Sequence, residues 1–428
     1  MSNVTSSIDR RQLVRGAGLG ALGLGVVALS AKHAAAAPSF ALAQAPAGPM
    51  LKAGLIGCGG RGSGAAFDFL AAGPNLTITA LADLFPDRLN GTREELKKSK
   101  AIDVPDSRCF VGFDAYKQLL ETDVDVVLLA TPPHFRPEHF REAVRARKHV
   151  FMEKPVAVDP TGARSVMASA KKAAAAGLSV VTGTQRRHQA AYRAAYEQVK
   201  AGALGDIVSA NCYWNQDQLW FREREAGWSD MEWMVRDWVN WGWLSGDHIV
   251  EQHVHNLDVI HWFTGKLPKS AVGFGARHRR VTGDQFDMFS VDYVYEGGMH
   301  VHSMCRQITG CASNVSELVV GTKGWTDCRS KIVDHKGKTI WQRDAKDDPS
   351  PYAQEHVDLV TAIRTNKPFN EAENTALSSL VAVMGRISAY TGREVTWEEV
   401  LGSEERLGPA TYALGPVDLP RTVPMPGA

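Results

Sequence analysis

A glycine-rich run early in the chain has the spacing of a dinucleotide-binding turn: Gly57-Cys58-Gly59-Gly60-Arg61-Gly62. It follows the apolar stretch 51–56 and opens a stretch of helical character. In such a turn the first glycine permits the tight bend, the second lets backbone amides approach a pyrophosphate, and the last allows close packing. The N-terminus of the following helix favours negative charge. We therefore expect a dinucleotide to be bound by Gly57, Gly59, Gly60, Arg61 and Gly62.

An acidic residue stands where such a site places its ribose contact. Asp83 ends the next predicted strand and lies 21 residues after Gly62. An acid at this spacing accepts hydrogen bonds from the ribose hydroxyls. Because its carboxylate would repel a 2′-phosphate, we predict NAD as the cofactor, while Arg88 keeps NADP possible.

A second candidate group, Glu153-Lys154-Pro155, directly follows a short predicted strand at 149–152. Ligands of open α/β sheets bind at the carboxyl ends of the strands, so Lys154 is expected near the cofactor. An isolated lysine is ordinarily a solvated surface charge. The position of Lys154 after a buried strand therefore carries this prediction.

The segment 247–261 combines histidines with carboxylates. On a helix Glu251, His255 and Asp258 would share one face, and imidazole suits proton transfer because its ordinary pKa is about 6.5. A zinc or manganese site is the rival hypothesis. His253 and His255, two residues apart, would project from different faces, so we predict no metal. The histidines and acids of the segment are Asp247, His248, Glu251, His253, His255, Asp258 and His261.

The elements that must hold the first group alternate between strand and helix. The stretch from 124 to 130 is uncharged after Asp125, as expected of a strand buried on both faces. Alternation of this kind predicts a Rossmann domain over 50–182, a doubly wound parallel sheet covered by helices. The predicted strands are 51–56, 76–82, 124–130, 149–152 and 178–182, and the predicted helices are 63–72, 137–147 and 160–176.

The pattern changes after residue 182. Consecutive strands joined by tight turns predict an α+β domain over 183–407 with an open, largely antiparallel sheet. We expect this domain to bind substrate and to mediate self-association through its sheet. Residues 408–428 are rich in proline and predict an extended tail. The predicted elements are strands 207–214, 286–295 and 299–307, a hairpin turn at 296–298, and helices 352–364 and 373–391.

Together these motifs resemble the Gfo/Idh/MocA family, which includes glucose-fructose oxidoreductase and inositol dehydrogenase. The resemblance extends over essentially the whole chain after residue 43. It rests on the glycine run, the loop Ala130-Thr131-Pro132-Pro133-His134, the Glu-Lys-Pro tripeptide and the stretches 202–207 and 317–324.

The resemblance implies roles for particular residues. Lys154 would orient and polarise a hydroxyl of a sugar, sugar acid or polyol, and His255 would take its proton while hydride moves to the nicotinamide. Glu251 replaces the family's usual aspartate and is the candidate proton relay. Expected cofactor contacts beyond the glycine turn are Thr131, Pro132, His134, Glu153 and Lys154. Expected substrate contacts are Arg186, Trp214, His253 and Asp258.

Tryptophan is concentrated just before the histidine-rich segment. Seven of the eleven tryptophans fall within 30 residues: Trp214, Trp220, Trp228, Trp233, Trp238, Trp241 and Trp243. Such a cluster could line a saccharide site by stacking on sugar faces. The alternative is a long insertion that packs on itself or on a partner subunit.

Residues 1–43 have the composition of an export signal. Arg10-Arg11 precede a charge-free apolar stretch of 14 residues at 16–29, and small-residue cleavage sites follow. Twin arginines ahead of a weakly apolar core are typical of folded-protein export in bacteria, and a membrane-spanning helix needs roughly 20 apolar residues. We expect export to the periplasm, with the cofactor held inside the folded protein.

Charge and cysteine content exclude several classes of protein. Removing residues 1–43 takes four basic residues and one acid from totals of 48 and 47, which leaves a net charge of about −2. Such a balance does not attract nucleic acid or an anionic membrane. The six cysteines form no Cys-x-x-Cys pair, so neither a zinc ribbon nor a redox motif is indicated.

Three functional hypotheses follow. The first is an oxidoreductase that acts on a carbohydrate hydroxyl. The second resembles the NAD-dependent glycosidases of this fold, in which oxidation at C3 of the sugar acidifies the C2 proton, elimination expels the aglycone, water adds and the hydride returns. The third is a sugar-binding protein that has kept the fold, although the presence of Lys154 and His255 argues against it.

Overall fold

The short apolar runs of the first half form a six-stranded, wholly parallel sheet in the order β3-β2-β1-β4-β5-β6. In the computed structural model, which describes residues 43–344, 346–419 and 422–427, every residue of β4 is buried. The predicted Rossmann sheet is therefore confirmed. Its strands are β1 Leu51–Ile56, β2 Leu76–Asp83, β3 Cys109–Val111, β4 Val126–Leu129, β5 His149–Met152 and β6 Val180–Thr182.

Helices cover both faces of this sheet. The last of them is capped by Asp159, whose side chain accepts a hydrogen bond from the Gly162 amide at 2.7 Å, and it begins with Pro160, whose missing N–H costs nothing there. The helices of this half are α1 Gly60–Ala71, α2 Pro86–Lys100, α3 Ala115–Leu120, α4 Arg136–Arg145 and α5 Pro160–Ala175.

The second sheet is nine-stranded, in the order β14-β13-β12-β11-β7-β10-β9-β8-β15. Its neighbours pair antiparallel except β7 and β10, which are parallel. The prediction of a largely antiparallel sheet is confirmed. Its strands are β7 Ile207–Gln216, β8 Ser270–Ala276, β9 Met288–Val294, β10 His300–Gln307, β11 Asn314–Gly321, β12 Gly324–Thr326, β13 Lys331–Asp334, β14 Thr339–Gln342 and β15 Val395–Thr396.

One face of the second sheet is packed and the other is open. Leu257, Val291 and Leu380 share the core between the sheet and two helices, α10 and α12. The helices of this half are α6 Ala190–Lys200, α7 Asp230–Arg236, α8 Gly242–Ser245, α9 His248–Glu251, α10 Val254–Thr264, α11 Pro351–Arg364, α12 Ala372–Thr391 and α13 Trp397–Gly402.

The chain returns to the first sheet near its end. Val357 and Val360 of α11 share a core with Leu55 and Phe151, and the Val180 amide donates to the Phe369 carbonyl at 2.9 Å. Helix α11 thus packs as part of the nucleotide-binding half, although it lies in the sequence range predicted for the second domain. Its amphipathic pattern gave no sign of which sheet it would join.

The two ends of the chain hold the remaining predicted segments. Nearly all of the predicted export signal, residues 1–42, lies outside the described residues. Within the predicted tail, residues 408–419 and 422–427 form neither helix nor strand. Among the described residues, no helix combines the length and apolar character needed to cross a membrane.

Candidate active site

The glycine turn between β1 and α1 is built by close backbone contacts. Gly57 has φ +97° and its amide donates to the Ala82 carbonyl at 2.8 Å. A Cβ on Gly62 would stand 1.8 Å from the Gly57 carbonyl oxygen, so only glycine permits the observed approach of α1 to the turn. A Cβ on Gly59 or Gly60 would meet nothing within 4 Å. The open side of the turn therefore faces free space at a helix N-terminus.

Asp83 lies at the end of β2 on the same side. Its carboxylate accepts hydrogen bonds from the Cys58 amide at 2.6 Å and the Phe85 amide at 2.8 Å. Burial raises the pKa of the Asp83 carboxyl, and these amide donors oppose that shift. The two amides fix the carboxylate at the edge of a cleft of about 480 Å³.

This cleft fits a dinucleotide at both of its ends. Exposed amides at the N-terminus of α1 suit a pyrophosphate, and Gly59 and Gly60 leave it room. Asp83 suits ribose hydroxyls, and Thr131 and Pro132 line the cleft where β4 ends. Arg88 lines it near Asp83. The predicted glycine turn, Asp83, Thr131 and Pro132 are thus brought together, whereas the predicted contacts His134, Glu153 and Lys154 are not among the residues that line the cleft.

Lys154 follows β5 and reaches across to the second half of the chain. Its Nζ donates to the Glu251 backbone carbonyl at 2.5 Å and to Glu251 Oε1 at 3.0 Å. Only 12% of the Lys154 side chain and 8% of the Glu251 side chain are exposed. Gln252 donates to the other Glu251 oxygen at 2.5 Å. These contacts therefore hold the lysine ammonium in one position. A substrate oxygen that accepts a hydrogen bond from Lys154 Nζ would do so beside the two Glu251 oxygens.

His255 stands beside this pair. Burial, followed by the positive charges of Lys154 and Arg186, holds the pKa of the imidazole well below its ordinary value. The ring is thus neutral near pH 7 and can accept a proton. Its Nδ1 is buried and has no hydrogen-bond partner among the described residues.

An aromatic and cationic wall adjoins His255. The Trp214 ring stacks on the His255 ring with centroids 5.6 Å apart, and the Arg186 guanidinium lies 5.4 Å from the Trp214 ring centroid. Arg186 is fixed by an ion pair with the buried Glu317, which also accepts a hydrogen bond from Tyr192 at 3.0 Å. The structure therefore brings Lys154, Glu251, His255, Trp214 and Arg186 into one group.

The residues 51–182 match the family described as "Oxidoreductase family, NAD-binding Rossmann fold", and residues 192–327 match the "GFO/IDH/MocA C-terminal domain". The chain belongs to the Gfo/Idh/MocA family. A solved structure with a similar fold is the crystal structure of aldose-aldose oxidoreductase from Caulobacter crescentus complexed with glycerol. It has a TM-score of 0.63 and 20% identity, and the match covers 81% of this chain and 99% of that one.

Curated relatives match over shorter stretches. The chain is 25% identical over 207 residues to 2,7-anhydro-N-acetylneuraminate hydratase of Escherichia coli (strain K12), covering 47% of this chain and 50% of that protein. It is 33% identical over 172 residues to a glycosyl hydrolase family 109 protein of Streptomyces coelicolor, covering 36% and 34%. It is 32% identical over 158 residues to 1,5-anhydro-D-fructose reductase of Ensifer adhaerens, covering 36% and 41%. These matches span half or less of each relative.

The helix expected to carry the family's acid and histidine is broken. Helix α9 ends at Glu251 and α10 begins at Val254, so the prediction of one continuous helix is wrong. The His253 amide donates to the His248 carbonyl, five residues back, at 3.1 Å. The His253 side chain is also anchored on β10 through Ser303 Oγ at 2.7 Å. The wider turn accommodates this anchor.

Two predicted substrate contacts are engaged by other residues of the protein. His253 is fully buried between Ser303 and Cys212, and burial lowers the pKa of its imidazole to about 3. Asp258 is buried in a two-pronged ion pair with Arg187 at 2.8 and 2.9 Å. The polar atoms of both side chains are thus occupied by partners within the protein.

Besides Lys154, two predicted cofactor contacts are absent from the lining of the cleft. His134 Nε2 lies 2.7 Å from the Tyr412 hydroxyl, and His134 packs against the cleft-lining residue Phe135 without lining the cleft itself. Glu153 turns back to accept hydrogen bonds from Arg61 Nε at 2.5 Å and from the Lys154 amide at 3.1 Å. Glu153 therefore links the glycine turn to Lys154 instead of lining the cleft.

The histidine-rich segment gathers no metal-binding group. Among the described residues, no three His, Cys, Asp or Glu side chains are arranged to hold a metal ion. His248 pairs with Asp247 at 2.9 Å, and His261 lies 2.9 Å from Ser378 Oγ. These histidines belong to separate hydrogen-bond pairs.

Sequence reasoning missed several residues of the site. The Arg61 guanidinium lies 5.2 Å from the ring centroid of Tyr352, at the start of α11. Arg136 is buried and donates to the Pro155 carbonyl at 2.7 Å, which supports the strand end that carries Lys154. Arg136 opens a helix with several other charged residues, so its sequence context gave no signal. Tyr352 offered none.

Proposed function

We propose that this protein is an oxidoreductase that transfers hydride between a tightly held NAD and a hydroxyl-bearing carbon of a sugar, sugar acid or polyol. The observation that carries the proposal is the Lys154–Glu251 pair beside a neutral His255. The relatives' names support a carbohydrate substrate, since they include an aldose-aldose oxidoreductase and an anhydrofructose reductase.

Oxidation of a carbinol removes a proton from oxygen and a hydride from carbon. When bound, NAD would supply the hydride acceptor. His255 would take the hydroxyl proton, because its depressed pKa keeps it unprotonated. Lys154 would donate a hydrogen bond to the same oxygen, and Glu251 would hold its ammonium in place and relay protons. The Trp214 ring offers an apolar surface for one face of a sugar.

Turnover with a panel of aldoses, sugar acids and polyols tests the proposal. The rate at which the bound NAD is reduced in a single turnover should be at least about a hundredfold lower in His255→Ala and in Lys154→Met than in wild type, because each loses a group that acts on the reacting hydroxyl. Lys171→Met removes an exposed lysine of α5 and is the matched control. Equal activity in Lys154→Met and Lys171→Met would contradict the assigned role.

A redox-neutral glycosidase is the second candidate, favoured by the 33% identical glycosyl hydrolase family 109 relative. It would use the same Lys154 and His255. Incubation with aryl glycosides separates the two: aglycone release without net NADH formation supports the glycosidase. Accumulation of protein-bound NADH with a free sugar supports the oxidoreductase.

We infer export through the twin-arginine pathway from Arg10-Arg11 and the apolar stretch that follows. An exported enzyme cannot draw on the cytoplasmic NAD pool, so its cofactor would be recycled on the protein by a second substrate or by the same one. Replacing both arginines by lysine should move the protein from the periplasmic to the cytoplasmic fraction. An unchanged distribution would contradict this inference.

We also infer self-association through the open face of the second sheet. By register, Phe274 of β8 lies opposite Ser290 of β9, which lies opposite Met304 of β10. Phe274 is 72% exposed, and Val272, Met288 and Met304 on this face are each more than one third exposed. Contiguous exposed apolar side chains mark interaction surfaces. Phe274→Glu should lower the mass measured by light scattering to that of a monomer.

A further inference from the structure

The cleft beside Asp83 has a wall that does not come from the Rossmann domain. Residues 217–246, which connect β7 to α9 and hold six of the tryptophans, contribute Trp220, Arg222, Arg236 and Trp238 to its lining. We call this segment the cover. Its lining residues face the same cleft as the residues that begin α2, which is the ribose side of the site.

We propose that the cover is the second half of the cofactor site and retains the adenosine end of the dinucleotide. This inference rests on the proposed function only in taking NAD as the bound molecule. Trp220 and Trp238 meet edge to face with ring centroids 6.2 Å apart, and Trp220 is 45% exposed. An aromatic surface opposite Asp83 suits a flat heteroaromatic base, because bases stack on aromatic rings.

Arg236 fastens the cover to the Rossmann domain. Its guanidinium donates to both oxygens of Asp87, at 3.0 and 3.1 Å, and lies 3.9 Å from the Phe85 ring centroid. It also bonds Glu232, one helical turn earlier in α7, at 3.0 Å. Asp87 and Phe85 follow Asp83 within four residues. The contact therefore closes directly over the ribose end of the cleft.

The tail supports the cover from behind. Val417 joins a buried cluster with Met231, Met234 and Trp241 of the cover, and the Met231 amide donates to the Gly415 carbonyl at 3.1 Å. The tail is itself anchored to the first domain through the Tyr412 hydroxyl on His134. Release of the dinucleotide thus requires the cover to part from two neighbours at once.

The tryptophans of this region have different surroundings in the structure. Trp214 alone lies against His255. Trp241 and Trp243 are buried in the cluster with the tail, and Trp220 and Trp238 line the cofactor cleft. Of these five tryptophans, one lies at the catalytic group, two lie in a packed core, and two line the cofactor cleft.

Retention of NAD by the purified full-length protein tests the proposal. Protein loaded with NAD is desalted into nucleotide-free buffer, and the NAD remaining is measured over time after denaturation. Arg236→Ala should lose NAD at least about tenfold faster than wild type, because it removes both the ion pair and the stacking on Phe85. Arg141→Ala, which removes an ion pair of α4 at 2.7 Å, is the matched control and should retain NAD like wild type.

A second pair of variants separates stacking from misfolding. Trp238→Ala should release NAD faster, while Trp238→Phe, which keeps an aromatic face, should stay within about twofold of wild type. Circular dichroism melting identifies any variant that fails to fold. If folded Arg236→Ala and Trp238→Ala both hold NAD as long as wild type, the cover does not retain it. Fast NAD loss from wild type would overturn the proposal equally.

Failure of the proposed function would look different. Wild-type protein that holds NAD but turns over no sugar or glycoside would contradict the assigned reaction. It would not contradict the proposed role of the cover in retaining NAD. Lys154→Met should lose turnover and keep NAD, because Lys154 lies outside the residues that line the cleft.

Discussion

Alanine substitutions at Gly62 and Gly60 of α1 should have different effects, one on the stability of the protein and the other on its affinity for NAD. In Gly62→Ala the new Cβ would stand 1.8 Å from the Gly57 carbonyl oxygen, and ordinary van der Waals contact begins at 3.4 Å. The helix and the turn must therefore part by roughly 1.6 Å. The Cβ is attached directly to the helix backbone and the oxygen belongs to the backbone of the turn, so neither can rotate away. We expect a loss of about 3 kcal/mol in the free energy of unfolding, at the upper end of overpacking costs.

Gly60→Ala should behave in the opposite way. A Cβ at this position meets nothing within 4 Å, and alanine is favoured over glycine in a helix by up to about 1 kcal/mol. The free energy of unfolding without nucleotide should be unchanged or slightly higher. The methyl group would occupy the space that backbone amides need to approach a pyrophosphate, so NAD affinity should fall about a hundredfold, or about 2.7 kcal/mol.

Two measurements check the pair. Urea unfolding of protein stripped of nucleotide gives the stability of each variant, and calorimetric titration with NAD gives the affinity. The reasoning fails if Gly62→Ala is as stable as wild type. It fails equally if Gly60→Ala binds NAD normally, since the open side of the turn would then not be the pyrophosphate site.

Three further predictions concern buried ionisable groups. Because burial and nearby cations lower the pKa of His255, the acid limb of kcat/KM should lie below pH ~6.5, and Arg186→Met should shift it to higher pH. Burial alone would lower the pKa of His188, but Glu371 and Asp358 raise it to about 10. The stabilisation that comes from protonated His188 is fully present below pH ~6.5 and is lost as the pH rises to about 10, so the free energy of unfolding should fall across that window, and less so in His188→Gln. Burial raises the pKa of Glu355, whose carboxylate oxygens have no hydrogen-bond partner among the described residues, so Glu355→Gln should raise the melting temperature at pH 7 and not at pH 4.

The sequence was sufficient to predict the largely buried strands of the parallel sheet and the turn that follows the first of them. The strand ends that carry Asp83 and Lys154 were predictable, because a parallel strand buried on both faces is an uncharged run bounded by polar residues. The glycine turn was predictable because its spacing reflects backbone contacts that only glycine allows. Both signals are local, and each could be recognised without knowledge of the rest of the chain.

Features that depend on distant partners were not predictable. A helical pattern placed Glu251, His255 and Asp258 on one face, but the anchor of His253 on Ser303, 50 residues away, interrupts that helix. Asp258 was expected to contact the substrate, yet Arg187 donates a hydrogen bond to each of its carboxylate oxygens. No local pattern distinguishes an acid that meets substrate from an acid that meets a buried arginine.

The break between α9 and α10 bears on the chemistry of the site. Glu251 ends α9, so its backbone carbonyl is free of the next helical turn and accepts a hydrogen bond from Lys154 Nζ together with its carboxylate. An unbroken helix would commit that carbonyl to the amide four residues on, which is that of His255. The His255 amide instead donates to the Gln252 carbonyl at 3.3 Å. The interruption thus gives the lysine two acceptors on one residue while keeping the histidine beside it, which is the arrangement that a lysine, an acid and a base need to act on a single hydroxyl.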